Sequence, residues 1–381
     1  MTADRPFSTD EYRGRLRRTQ TALAAAGLDA CVAIAPDHLY YLAGYDAHTQ
    51  FSLQALIFGR EGNAIFVYRD VDRENAEDGS WIADQRVYHH GRDDPVALIA
   101  DAVAEFAGTN GGVGVGWNTY ALPGAAALRL AQALAPRRLA DAGAVIETVR
   151  LVKSAQELAY IREAAECAEA GLARLRRAAR PGMTEIELAG EIEAALRASG
   201  SEYPAMPTWL ATGTRTRGSH RTPTARKLAP GEPIKTEFAG VRRRYHAVTM
   251  QTLWMGEPGA EERRAYNVTL ASLRAGCREV KVGARAAKAE EAAFAVLGAA
   301  GFDAAALARF GYGVSAAFPP TWLDGLDITG GSGATFPANC SMVLHTSALK
   351  GAHSYLLGGA YVLTESGLEC LSGGDLELQV L

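Results

Sequence analysis

The clearest pattern of hydrophobic and polar positions lies between Gly231 and Gly256, where two strand-like runs flank a basic segment, Val241–Arg244. Side chains alternate between the two faces of a strand, so each run divides into two sets. The sets that carry ionisable groups are Lys235, Glu237 and Ala239 in the first run and His246, Val248 and Met250 in the second. If the register joins these sets, Glu237 and His246 line one polar pocket. Otherwise the segment is an ordinary amphipathic hairpin with Glu237 in solvent.

Strand-like apolar runs alternate with helical segments in the first part of the chain, which predicts an α/β domain over residues 1–148. Ser8 and Glu11 have capping-box spacing and predict a helix that continues to about Ala26. The further predicted elements are strands at Ala30–Ile34, Ala55–Phe58, Ala64–Val67 and Gly112–Val115 and a helix at Asp94–Phe106. The segment Tyr40–Gln50 is polar and aromatic, which predicts a surface loop that is either functional or simply solvated.

The remaining residues, 149–381, predict an α+β domain with an internal repeat. Two further capping boxes, Ser154 with Glu157 and Thr184 with Glu187, predict a long helix followed by a shorter one. The segments Gly182–Gly200 and Gly283–Gly301 have equal length, lie 101 residues apart and carry Leu at the same offset. Each follows a longer helix and precedes strand-like segments, which favours a duplicated unit over a chance match of two Ala-rich helices. A pocket is expected where the two halves meet.

Composition excludes several classes of function. The 381 residues are 48% hydrophobic and 22% charged with a net charge of −4, which is typical of a globular protein and does not favour a nucleic-acid partner. The N-terminus lacks the apolar segment of a signal peptide, and no later run approaches the length of a membrane span. We therefore expect a soluble, cytoplasmic protein with no membrane partner. The five cysteines are widely spaced without a CxxC pair, which favours reduced thiols.

Several short motifs, in this order, resemble the creatinase, aminopeptidase P and methionine aminopeptidase superfamily: Arg150–Glu157, Gly182–Glu185, Gly218–His220, Arg244–Ala247, Gly311–Gly313 and Val362–Gly367. The segments Phe238–Gly240 with Arg244–Ala247 and Phe318–Trp322 resemble ectoine hydrolases and creatinases more than the peptidases of this superfamily. The resemblance implies a creatinase/prolidase-like N-terminal α/β domain over 1–148 and a pita-bread domain with pseudo-twofold symmetry over 149–381. It also implies a homodimer in which Tyr40–Gln50 of one subunit reaches the pocket of the other.

The resemblance further implies five metal-ligand positions, which in the peptidases of this superfamily hold two ions. In this chain they fall on Glu237, Val248, Tyr312, Ser347 (with His345 two residues earlier) and Gly358 or Gly359. One carboxylate cannot offset the charge of two divalent ions. We therefore expect neither a dimetal centre nor another cofactor. A single metal ion held by the histidines is the alternative.

His220 falls on the position of the general acid/base histidine of creatinase, so the resemblance implies proton transfer by this residue. Histidine titrates near neutral pH and can pass a proton in either direction. We predict that the catalytic residues are His220, Glu237 and His246, and that a small-molecule substrate is bound by Tyr312, His345, Met250 and Trp322.

The predicted function is metal-independent hydrolysis of a C–N bond in a small polar metabolite. The substrate class implied by the resemblance is a cyclic amidine, a guanidino acid or an amide. Three alternatives stay open: a biosynthetic enzyme that catalyses cyclisation, elimination or isomerisation, a metal-dependent Xaa-Pro peptidase-like hydrolase, and a non-catalytic small-molecule-binding protein.

Overall fold

A computed structural model describes residues 5–47, 51–302, 309–373 and 376–381 of the protein. The chain forms two compact units, residues 1–150 and 151–381. No helix in the described ranges is both long enough and apolar enough to span a membrane.

The first unit is a mixed sheet with helices packed on it. Its strands are β1 (Ala30–Ala33), β2 (Ala55–Gly59), β3 (Ala64–Arg69), β4 (Asp84–Tyr88), β5 (Gly112–Val115) and β6 (Arg138–Asp141). Its helices are α1 (Thr9–Ala25), α2 (Pro36–Ala43), α3 (Arg73–Gly79), α4 (Pro95–Ala107), α5 (Gly124–Leu134) and α6 (Gly143–Leu151), with a 3₁₀ turn at Asp70–Asp72. The strand order is β4-β3-β2-β1-β5-β6. The α/β class predicted for this part of the chain is confirmed.

Local signals fixed the start of α1. The Ser8 side chain accepts a hydrogen bond from the backbone N–H of Glu11, as the capping-box spacing predicts. The helix then buries its apolar face, including Tyr12 and Leu16, against the rest of the unit.

The surface loop predicted for Tyr40–Gln50 is wrong for most of that segment. Tyr40 and Tyr41 lie in α2, and both are fully buried, as is Tyr45. Their rings pack in the core of the unit. The Tyr45 hydroxyl is hydrogen-bonded there, because the Gln54 side-chain amide donates to it over 3.1 Å. Residues 48–50 of the predicted loop lie outside the described residues.

The second unit is built on one antiparallel sheet. Its helices are α7 (Ala155–Ala178), α8 (Glu185–Ala198), α9 (Ala260–Glu279) and α10 (Ala287–Ala299), with a 3₁₀ turn at Gly213–Arg217. Its strands are β7 (Trp209–Thr212), β8 (Pro233–Arg242), β9 (Tyr245–Trp254), β10 (Gly311–Phe318), β11 (Thr321–Ile328), β12 (Cys340–Lys350), β13 (His353–Thr364) and β14 (Gly367–Cys370). The order is β11-β10-β12-β13-β9-β8-β7, and β14 pairs with β13.

The internal repeat predicted from the two glycine-bounded segments is confirmed. Gly182 has φ 84° and donates its N–H to the carbonyl of Leu228 over 2.9 Å. Gly283 has φ 78° and donates to the carbonyl of Phe336 over 2.8 Å. Apart from β11, which lies at the edge of the sheet, the two halves also share the order of elements, since α7-α8-β7-β8-β9 matches α9-α10-β10-β12-β13. Strands β9 and β13 pair at the centre of the sheet, where the halves meet.

Helix α7 covers one face of the sheet at very short distance. A Cβ atom at Gly240 of β8 would lie 2.0 Å from the carbonyl oxygen of Ala164 in α7, so only glycine permits this approach. Because side chains alternate along a strand, Glu237 and Ala239 of β8 lie on the face of the sheet that α7 does not cover.

Candidate active site

The register of the β8–β9 hairpin places its ionisable set on a single face. Glu237 pairs with Met250, and Val241 pairs with His246. Directly paired residues of antiparallel strands project from the same face, so Glu237 and His246 share one, as the alternation predicts. They do not meet, however, because the two pairs are four residue steps apart, which separates them by about 13 Å along the strands.

The turn of this hairpin is built from two arginines. Arg243 and Arg244 have φ of 47° and 66°, a conformation that costs about 1–2 kcal/mol per non-glycine residue. The Glu202 carboxylate accepts the backbone N–H groups of both residues over 3.0 Å and stabilises the turn. The turn thereby fixes the register on which the face depends.

One row of paired residues crosses five strands of this face. The row runs Trp209 (β7), Glu237 (β8), Met250 (β9), Gly358 (β13) and His345 (β12). Neighbouring rows add Lys235, which pairs with Thr252, and Tyr312, which pairs with Val343. We call the surface formed by Trp209, Lys235, Glu237, Met250, Tyr312 and His345 the site face.

Aromatic side chains border Glu237 and His345. The Trp322 indole N–H donates to the Tyr312 hydroxyl over 3.0 Å. The Tyr312 ring meets the His345 ring edge-on with centroids 5.8 Å apart, and Trp209 meets Trp322 in the same way at 5.8 Å. Trp322 is fully buried, so it supports Tyr312 and Trp209 rather than forming the surface that a ligand touches.

Glu237 is a buried acid without a hydrogen bond. It is 8% exposed, which excludes the alternative of a solvated carboxylate on an ordinary hairpin. None of the described residues donates a hydrogen bond to its carboxyl oxygens. Burial raises the pKa of Glu237 to about 8, and the positive charge of Lys235 offsets only part of this effect.

His345 is a second buried polar group without its full set of partners. It is 8% exposed, and its Nδ1 atom has no hydrogen-bond partner among the described residues. Burial lowers the pKa of His345 to about 4, and the positive charges of Arg309 and His220 add to this effect. The ring is therefore neutral at pH 7 and has a nitrogen to offer to a ligand.

His220 lies on an exposed loop over the site face. Its φ of 51° is unusual for a residue with a side chain, and its ring centroid lies 4.3 Å from that of Trp209. Partial burial and the positive charge of Lys235 lower the pKa of His220 below 6.5. The imidazole is accordingly the free base at neutral pH, the form that accepts a proton.

His246, predicted to be catalytic, is held by the protein itself. Its Nε2 accepts the backbone N–H of Ala205 over 2.9 Å, and its Nδ1 donates to the carbonyl of Arg244 over 2.7 Å. The residue is fully buried, and burial lowers its pKa to about 4. Both nitrogens are occupied, so this geometry supports a structural role for His246 behind Trp322.

Two residues of the site face were given no role by the sequence. Lys235 was placed on the correct face of β8, and its spacing of two residues from Glu237 was the available signal. Trp209 comes from a short strand that pairs with β8, and the sequence held no signal for that pairing.

Comparisons with known proteins agree with this architecture. The profile of the creatinase/prolidase N-terminal domain matches residues 15–152, and that of metallopeptidase family M24 matches residues 159–345. The chain belongs to the creatinase/aminopeptidase P superfamily. The predicted pairing of a creatinase-type N-terminal domain with a pita-bread domain is thus confirmed, and the chain is a member of a hydrolase family on that scaffold.

Among the similar proteins is the ectoine hydrolase of Halomonas elongata, which is 29% identical over 334 residues, 83% of this chain and 84% of that protein. The crystal structure of dipeptidase PepE from Mycobacterium ulcerans has a TM-score of 0.88 and 25% identity, covering 98% of this chain and 99% of that one. The prolidase from Thermococcus sibiricus has a TM-score of 0.89 and 18% identity over 98% and 100% of the two chains.

The metal ions implied by the M24 family do not fit the residues of this site face. Val248, at one implied ligand position, is fully buried in a cluster with Ala239 and Val343 and has no donor atom. At Gly358, a Cβ atom would lie 2.5 Å from that of His345, so this backbone leaves no room for a ligand side chain. The described strands of the site face therefore offer Glu237 as their one carboxylate, which is too few for a dimetal centre.

Within the described residues, three potential metal ligands converge at one place, which lies in the first unit. Asp37, His38 and Glu147 lie close together there. Arg150 donates to Asp37 over 2.5 Å and to Glu147 over 2.8 Å, so a guanidinium already pairs with both carboxylates. This arrangement is a buried ion-pair network rather than a cation site.

Proposed function

We propose that the protein is a metal-independent hydrolase that cleaves a C–N bond of a small polar metabolite. The substrate class is a cyclic amidine, a guanidino acid or an amide. The observation that carries the proposal is the state of Glu237, a buried and unbonded carboxyl group in the row where the family's peptidases have metal ligands. Five strands form that row, and Glu237 is the single acidic residue within them.

Glu237 supplies the recognition of a cationic group. Its carboxyl has no hydrogen bond to break, and an amidinium or ammonium group offers both a charge and donors to it. A bound cation also favours the ionised carboxylate, which burial alone disfavours. One carboxylate matches one positive charge, which suits the amidine and guanidino members of the substrate class that the resemblance implies.

His220 supplies the proton transfers. The neutral imidazole takes a proton from water as the water oxygen bonds to the substrate carbon. The imidazolium then gives that proton to the nitrogen as the C–N bond breaks, which returns His220 to its starting form. His345 and Tyr312 border the same surface and can hydrogen-bond to the polar groups of the substrate.

The test is hydrolysis by protein purified in the presence of a chelator. The panel contains ectoine, creatine, small amides and Xaa-Pro dipeptides. Mass spectrometry detects a ring-opened product one water molecule heavier than a cyclic compound, or two fragments whose masses sum to an acyclic compound plus one water molecule. We expect turnover of a non-peptide compound, with less than one equivalent of Mn, Co, Zn or Fe by elemental analysis.

Cleavage of the dipeptides alone, lost with chelator and restored by metal, would instead establish the peptidase. The 25% identity to a dipeptidase over nearly the whole chain makes that arm of the panel necessary. Binding of a panel compound by calorimetry with no turnover would identify a non-catalytic binding protein.

The proposal includes a homodimer, which the resemblance implies. The tyrosines at 40, 41 and 45 are buried in their own unit, so they are not the residues that complete a neighbouring site. Light scattering at micromolar concentration should give twice the mass of 40.4 kDa. A monomer with full activity would reject this part of the proposal.

A further inference from the structure

Lys235 is a buried lysine whose ammonium group does not form an ion pair with any described carboxylate. The side chain is 8% exposed and lies two residues before Glu237 on the site face. Nζ donates to the backbone carbonyls of Thr216 and Gly218, the second over 3.0 Å. A buried lysine usually has a carboxylate partner, because desolvation of the charge is costly.

Both carbonyls belong to the loop that carries His220. Thr216 lies in the 3₁₀ turn Gly213–Arg217, and Gly218 is two residues before His220. The Thr216 hydroxyl donates to the carbonyl of Gly213 and accepts the backbone N–H of Ser354, which anchors the start of the loop. Lys235 thus links the rest of the loop to β8, and His220 follows directly after that link.

The charge of Lys235 also acts on the groups around it. It lowers the pKa of His220 and opposes the raised pKa of Glu237. Burial lowers the pKa of Lys235 itself to about 8, while Glu237 raises it and Arg221 of the loop lowers it further. The cross-strand neighbours of Lys235, Ala211 on β7 and Thr252 on β9, carry no charge.

We propose that Lys235 is a positioning residue for His220, tying the 216–220 loop to the site face and supplying a fixed positive charge beside it. Lys235 does not transfer a proton to the substrate. It holds His220 over Trp209, where the ring can reach a group bound at Glu237. Its charge adds to the effect of partial burial in favouring the base form of the imidazole. The expected change in kcat rests on the proposed function, whereas the expected change in the pKa of His220 does not.

The test compares Lys235→Met, which removes both the charge and the donors, with Lys235→Arg, which retains them. Lys227→Met is the matched control, because Lys227 is an exposed lysine of the same unit, whose backbone pairs with Thr184. The first measurement is the pKa of His220 by NMR of its ring protons, assigned with His220→Asn. We expect a higher pKa in Lys235→Met, recovery toward the original value in Lys235→Arg and no change in Lys227→Met.

The second measurement is turnover of the substrate found by the panel. Lys235→Met should lower kcat by about 10–100-fold through misplacement of His220, with a smaller change in KM, and Lys235→Arg should recover part of it. An unchanged His220 pKa in Lys235→Met would overturn the proposal even if no substrate is found. If Lys235→Met does not fold, Lys235→Gln replaces it, since the amide retains a donor for the loop but not the charge.

A lower kcat in Lys235→Met with an unchanged His220 titration would also reject the proposal, since it would place Lys235 in contact with the substrate instead. A shifted titration without any hydrolase activity in the original protein would support the positioning role and reject the proposed function. The two ideas therefore fail separately.

Discussion

Glu237 and His345 occupy the same row of the sheet on strands of opposite halves, separated only by Met250 and Gly358. Glu237 lies on β8 and His345 on β12, strands that correspond under the internal repeat. Both side chains are 8% exposed, the Nδ1 atom of His345 has no hydrogen-bond partner among the described residues, and none of those residues donates a hydrogen bond to the Glu237 carboxyl. Strands are spaced by about 4.8 Å, so their backbones lie about 14 Å apart, a span that suits a small molecule between them.

Glu237→Gln should stabilise the protein at high pH. The folded-state pKa of about 8 lies above the ordinary value of 4.5, so the stability associated with this acid is present below pH 4.5 and is lost as pH rises through 8. Gln cannot ionise and avoids that loss. In thermal unfolding the variant should match the original protein at pH 5 and exceed it by about 3 °C or more at pH 9. An equal difference at both pH values would show that Glu237 does not titrate in this range.

His246→Ala should destabilise the fold, and His220→Ala should not. His246 is fully buried with two hydrogen bonds, and its loss leaves the N–H of Ala205 unpaired, which together with the cavity should cost about 2–4 kcal/mol. His220 is exposed, so its removal should change the free energy of unfolding by less than about 1 kcal/mol. Urea unfolding measures both. A larger loss of unfolding free energy in His220→Ala than in His246→Ala would show that His246 is not a structural residue.

His220→Ala should lower kcat by about 10²–10⁴ with a smaller change in KM. In the original protein kcat/KM should fall as pH drops through a pKa below 6.5, because protonation removes the base and the pKa of His220 is lowered. The acid limb should be absent from the residual activity of the variant. If His345→Ala abolishes turnover while His220→Ala retains it, proton transfer belongs to His345.

The repeat makes a prediction about stability that is independent of function. Gly182 and Gly283 have positive φ, and no atom lies within 4 Å of the place that a Cβ atom would occupy, so a side chain there meets backbone strain alone. Gly182→Ala and Gly283→Ala should each destabilise by about 1 kcal/mol. Gly190 also has open space but lies inside α8, so Gly190→Ala should be neutral or stabilising by up to about 1 kcal/mol. Equal effects at the three positions, by urea unfolding, would contradict the backbone argument.

The sequence predicted those features that depend on neighbours within a few residues. Helix starts at Ser8 and Thr184 follow from capping spacing, because the side chain and the N–H that it accepts lie three residues apart. The faces of β8 and β9 follow from alternation, which is a local property of an extended chain. The resemblance supplied the topology that joins these elements.

The sequence by itself determined what the site lacks, since no folding can give Val248 a ligand atom or place a second acid in the strands of the site face. Only the tertiary structure decided what those strands bring together. The row that joins Glu237 to His345 depends on the pairing of Met250 with Gly358, which are more than a hundred residues apart in the sequence. A shift of one residue in any pairing of the row would turn a side chain to the other face. Long-range packing also buried Tyr40, gave both nitrogens of His246 a hydrogen-bond partner and placed Lys235 under the loop of His220. Burial and hydrogen-bond partners depend on the whole folded unit and cannot be read from a short segment.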